Sequence, residues 1–163
     1  VGKPIKLGID GGDDLIPSTP RQIALYRALT DIGCGTGDAA PLAVDSLVAL
    51  LADSDRCASA IAAIARLPVT MISRVAEGLN HAHPIVRSRT VEALGRYRHP
   101  DATRLLAAAF EDEDPRVRES AALVVQRLGS RLFDQTLRRL ATEDRSKAVR
   151  RAAAEAAAWR ANH

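Results

Sequence analysis

EDEDPRVRESAALVVQRLG, Glu111 to Gly129, holds a complete structural unit. An acidic turn runs into Asp114-Pro115, the apolar residues Val117, Ala121, Val124, Val125 and Leu128 recur at steps of three and four, and Gly129 follows the last of them. A carboxylate at Asp114 caps free N–H groups at a helix start, and Pro115 at the first helical position gives up only an N–H that has no partner there. The apolar steps predict a helix with one stripe toward a core, and Gly129 predicts a left-handed residue that ends it.

The pattern occurs twice more. His83-Pro84-Ile85-Val86-Arg87 leads upstream to Ala93-Leu94-Gly95, and Ser146-Lys147-Ala148-Val149-Arg150 leads downstream into an Ala-rich helix. Val86 to Val117 spans 31 residues and Val117 to Val149 spans 32. A period in this range marks stacked helical hairpins. Between the units lie the partner helices, which end at Leu51, Leu79, Phe110 and Leu140, separations of 28, 31 and 30. The repeat therefore reaches back beyond the clear motifs. Their apolar residues, expected to face inward, include Leu42, Leu47, Ile72, Val75, Leu105, Leu106, Leu132, Phe133 and Leu137. The expected fold is an all-α solenoid of about four and a half antiparallel hairpins.

The ends of the chain read differently. VGKPIKLGIDGGDDLIPST, residues 1–19, has no helical period and three glycines with two prolines, so it is expected to form an irregular arm. Residues 20–163 form the repeat domain. Alternate glycines in Gly33-Cys-Gly-Thr-Gly37 invite comparison with a phosphate loop. Such loops leave a strand and carry a lysine, whereas this one leaves a predicted helix and has none, so a solvated turn is expected. At the other end, the helix from Val149 to Arg160 has no partner after it and carries the single tryptophan, Trp159. Trp is enriched at interface anchors, which makes Trp159 and self-association through this helix a candidate contact.

At 163 residues with 47% hydrophobic and only 3% aromatic side chains, the core must be built from Ala, Leu, Val and Ile, which suits closely packed helices. Two cysteines, Cys34 and Cys57, are too few for a disulfide framework and lack metal-ligand spacing. No apolar run approaches the ~18 residues of a membrane span and no signal-peptide pattern is present, so a cytoplasmic protein without membrane contact is expected. Net charge is +3, divided as −3 over residues 1–60 and +6 over 61–163, with Lys only at positions 3, 6 and 147. Most arginines stand close in sequence to an acid, which favours intramolecular pairing over a nucleic-acid patch.

With D-P-x-V-R and a trailing Leu-Gly, the chain resembles the HEAT-like repeats of bacterial and archaeal proteins, nearest to the phycocyanobilin-lyase type, over residues 41–160 and more loosely 20–40. The resemblance implies a superhelix with first helices on the convex side and second helices lining the concave side. It implies a structural column of Arg87, Arg118 and Arg150 between neighbouring repeats, with Asp114 in the turn; His83 and Ser146 stand in that Asp's place elsewhere, and Ser59 stands where an earlier Arg belongs.

No constellation for chemistry is apparent. His81 and His83 fall in one turn and His99 about 18 Å away along a helix, so they do not share an ion, and His163 is remote in sequence. The acidic run from Glu111 to Asp114 sits at a helix start beside arginines, where carboxylates stay ionised. No catalytic, cofactor-binding or metal-ligating residues are expected, and the expected function is a non-enzymatic scaffold that binds another protein on its concave face. Its contacts would be the polar residues of the second helices, Arg74, Glu77, Arg104, Gln135 and Arg138. An alternative from the same resemblance is a nucleic-acid-binding protein like the HEAT-like DNA-repair glycosylases, and a third is a bilin lyase or lyase subunit. Against the second stand the absence of a single-sign basic stripe and of stacking aromatics.

Overall fold

The computed structural model describes residues 27–32, 34–35, 39–97 and 99–161. The expected arm at 1–19 and the start of the first helix at Pro20 lie outside them. Among the described residues every regular element is helical. After a helical stretch at 27–32, the order is α1 (Ala39–Ala49), α2 (Cys57–Ile64), α3 (Ile72–Ala76), α4 (Pro84–Leu94), α5 (Pro100–Leu105), α6 (Pro115–Leu128), α7 (Asp134–Glu143) and α8 (Lys147–Ala161). First helices stack on first helices, α2 on α4 on α6 on α8, while α3 packs between α1 and α5 among the second helices. None of the described helices is by itself long and apolar enough to cross a membrane.

Local chemistry sets the boundaries. Pro84, Pro100 and Pro115 each occupy a first helical position, and the side chains of His99 and Asp114 accept from the amides of Asp101 and Arg116. The second helices α1, α3 and α5 finish in tighter 3₁₀ turns, Leu50–Ala52, Glu77–Asn80 and Leu106–Glu111, before the next unit begins. Gly129 ends α6 with φ 64°. Gly95 also follows a Leu, but its φ is −64°; a Cβ there would lie 2.4 Å from Val124 Cγ1, so this glycine permits two first helices to approach closely.

A continuous small-residue core runs through the stack. Val44, Leu47, Leu51, Ile64, Val75, Val86, Leu94, Leu106, Val117, Val125, Leu137 and Val149 are fully buried or nearly so, and α8 adds, besides Val149, the alanines Ala152, Ala153 and Ala156. Phe110 and Phe133 meet with ring centroids 5.0 Å apart. Two residues expected inside are outside: Leu42 is 67% and Leu132 is 60% exposed. The buried set Ala40, Ala43, Val44 and Leu47 defines the inner face of α1, and Leu42 projects from the opposite side. Beside Leu132, Phe133 takes the core position instead.

Candidate functional site

Each joint between hairpins is built on one position. Asp53, His81, Asp112 and Asp144 all end a second helix in extended conformation, and each side chain accepts the amide N–H two residues on, from Asp55, His83, Asp114 and Ser146, at 2.8, 3.1, 2.9 and 2.8 Å. The arginines of the first helices read these turns twice. Arg87 Nη1 donates to His81 O of its own turn at 2.9 Å, while Nε and Nη2 each reach Asp112 of the following turn at 2.8 Å. Arg118 repeats the arrangement, to Asp112 O at 2.6 Å and to Asp144 at 2.7 and 2.9 Å. Both pairs are withdrawn from water, with side-chain exposures of 7% and 11%, and of 14% and 4%. The hydrogen bonds raise the pKa of both guanidinium groups further, and the Arg118 guanidinium holds the Asp144 carboxyl below the usual carboxylate range. Arg116 does the same for Asp114, whose pKa lies at about 2.

One joint departs from the scheme. Ser59 stands where the arginine would be and His81 where its carboxylate would be, so both halves of that bridge are replaced together. The carbonyls there are served from α4 instead: Arg89 Nη1 donates to Leu51 O at 2.6 Å and to Asp53 O at 3.3 Å.

Arg74, Arg104 and Gln135 occupy one repeat position on α3, α5 and α7, and Glu77 and Arg138 another, one turn further on. Their arginines are partly committed. Arg74 grips Asp45 of α1 at 2.7 and 2.6 Å and also pairs with Glu77 at 3.2 Å, and Arg104 pairs with Asp101 at 2.8 Å. Arg139 pairs with Glu111 across the neighbouring second helices. Gln135 and Arg138 are exposed.

Two clefts flank Arg104. One, of about 290 Å³, is lined by Val69, Ile72, Ser73, Asp101, Arg104 and Leu105. The other, of about 490 Å³, is bordered by His99, Pro100, Thr103, Arg104, Arg127, Leu128, Ser130 and Leu132. Val69, 47% exposed, lines the first cleft and Leu132 the second, and in the two linings taken together basic side chains outnumber acidic ones. The sequence reading picked out Arg104 but missed Asp45, Arg127, Val69 and Leu132 as surface groups. The available signal was position: Val69, Pro100 and Leu132 each stand at the head of a second helix.

At the far end, Trp159 is 41% exposed and its ring lies 3.9 Å from where a Cβ on Gly129 would project. Among the described residues no group of three or more His, Cys, Asp and Glu side chains is placed to hold a metal ion.

The family model of HEAT repeats matches residues 72–158. No curated protein shows significant sequence similarity to the chain. Among solved structures, human deoxyhypusine hydroxylase in complex with glycerol is similar, with a TM-score of 0.58 and 24% identity, covering 74% of this chain and 44% of that one. The chain thus spans less than half the length of that protein. At this identity the likeness establishes the fold. It also corrects one expectation: the hydroxylase is an enzyme with the same kind of solenoid, so a non-enzymatic role does not follow from the architecture.

Proposed function

Because this chain belongs to the HEAT-repeat family, whose repeats generally mediate protein interaction, we propose that it binds a segment of another protein across its second helices, the concave side. The observation that carries this reading is the pair of clefts that meet at Arg104, where Val69 and Leu132 leave large apolar side chains in water. Apolar surface held open in a concave setting is recovered when a partner covers it. The segment that fits presents apolar side chains to Val69 and Leu132 and a carboxylate to Arg104 or Arg127. Glu77 and Asp101 on the same face disfavour a polyanion, since a phosphate chain would run over both.

A photoreactive side chain at position 132, introduced into the protein in its native host, tests this. A discrete polypeptide adduct is expected, lost in Arg104→Glu and in Val69→Asp while the helical far-UV spectrum is kept. Adducts to nucleic acid alone, or polypeptide adducts indifferent to both substitutions, would overturn the reading.

A further inference from the structure

We infer that the protein segment bound at the clefts is acidic beyond its anchor, and that its carboxylates run along the edge of the stack where the first helices end, over a column formed by Arg127, Arg96 and Arg66. This rests on the protein-binding reading and adds the charge and the path of the segment. Arg66, Arg96 and Arg127 each stand two residues beyond a fully buried residue, Ile64, Leu94 and Val125, so they repeat one position in three hairpins. The ends of α2, α4 and α6 adjoin: Tyr97 Oη donates to Ile64 O at 2.8 Å, and Gly95 lies against Val124. Packed helices lie ~8–10 Å apart, and successive members of the column share that spacing.

All three side chains are exposed, and none of the three guanidinium groups has an ion pair or a hydrogen bond with a described residue. That sets them apart from Arg87, Arg104 and Arg118, each closed on a carboxylate of the chain. A cation at a helix end often binds the last carbonyls, and these three do not. Arg127 also borders the cleft that holds Leu132, so a segment anchored there passes directly onto the column. Charge and spacing choose the occupant. An extended chain advances ~3.3 Å per residue, so the column offers one guanidinium to about every third residue, and a planar fork of N–H groups is best matched by a carboxylate. Duplex nucleic acid carries one charge per ~1.7 Å, far denser than this column. Glu92, exposed one turn before Arg96, repels a continuous polyanion and leaves room for spaced carboxylates.

Titration of the full chain with a fluorescent oligoglutamate of about ten residues, long enough at ~3.3 Å per residue to span the column, tests this. Saturable binding that weakens as salt is raised is expected. Arg66→Glu combined with Arg96→Glu should weaken it by about tenfold or more, and the matching pair of Gln substitutions by about threefold. Neither residue lines the clefts. Arg145→Glu with Lys147→Glu makes the same change of charge at exposed positions at the start of α8, and should leave binding unchanged. Equal weakening in that control, or no saturable binding, would overturn the proposal. So would an oligothymidylate or a phosphatidylserine vesicle held more tightly than the peptide through Arg66 and Arg96. A rise of about tenfold in peptide affinity when Asp10, Asp13 and Asp14 all become Asn would overturn it too, because residues of this chain would then be the occupant. The adduct at position 132 keeps the two readings apart. An adduct that forms unchanged in Arg66→Glu/Arg96→Glu, with the peptide unbound, retains a protein in the clefts and removes its acidic path along the edge.

Discussion

Asp144 is almost out of water, and its two oxygens accept three hydrogen bonds, from Arg118 Nε and Nη2 and from the amide of Ser146. Removing the cation leaves a desolvated carboxylate, the costliest way to break such a pair. Arg118→Ala should therefore destabilise by about 3–5 kcal/mol. Arg104→Ala, at a side chain 70% exposed and paired with Asp101, should cost about 0.5 kcal/mol or less. Urea unfolding of the two variants beside the parent checks the contrast. The same carboxylates set the acid limb of stability. Asp114 and Asp144 titrate lower in the folded protein than an aspartate in an unfolded chain, near ~3.9. Below that value the unfolded state binds more protons, so their contribution is present above about pH 4 and is lost as pH falls toward the folded values. Asp144→Asn should lower the urea midpoint at neutral pH and flatten its decline between pH 5 and 2. A midpoint that falls as steeply in the variant would assign the acid sensitivity to other groups.

At the scale of elements, two glycines that look alike in sequence act through different physics. Gly129 stands at φ 64°, and a Cβ there would meet the Trp159 ring at an ordinary 3.9 Å, so Ala there should cost about 1–2 kcal/mol through backbone conformation, and Asn should be tolerated better. Gly95 has an ordinary helical φ, and its substitution to Ala should cost about 1–3 kcal/mol because the new methyl meets Val124. The two mechanisms separate in one thermal-melt series. Val124→Ala should relieve part of the Gly95→Ala penalty and none of the Gly129→Ala penalty, and Asn should be worse than Ala at 95 and better at 129. The same close contact lets α4 and α6 stack in a core where alanine does much of the filling.

Over the whole molecule, residues 61–163 carry a net +6, and part of their basic charge is engaged within the chain. Arg74, Arg87, Arg104, Arg116, Arg118 and Arg139 are each paired with a carboxylate of the chain itself. Arginines so engaged release few counterions from a duplex. Binding to a random DNA duplex at physiological salt is accordingly expected to be no tighter than about 10⁻⁴–10⁻⁶ M. Titration over a range of salt, with Arg104→Ala in parallel, tests this. A submicromolar dissociation constant lost in that variant would place nucleic acid rather than protein in the clefts.

The sequence by itself determined what depends on neighbours in the chain. Helix starts at Pro84, Pro100 and Pro115, the left-handed stop at Gly129, and the buried stripe of Val117, Ala121, Val124 and Val125 are all local, and three copies of one pattern make the stack follow from the unit. Tertiary structure alone decided which side chains meet across units: Arg74 with Asp45, Arg89 with the carbonyls at Leu51 and Asp53, Arg118 with Asp144, and the exposure of Leu42, Val69 and Leu132. The reason is geometric. A helix turns by about 100° per residue, so a change of one residue in a connection redirects every side chain that follows. Repeat lengths here vary from 28 to 32, and only the packed register of consecutive hairpins fixes which arginine faces which carboxylate.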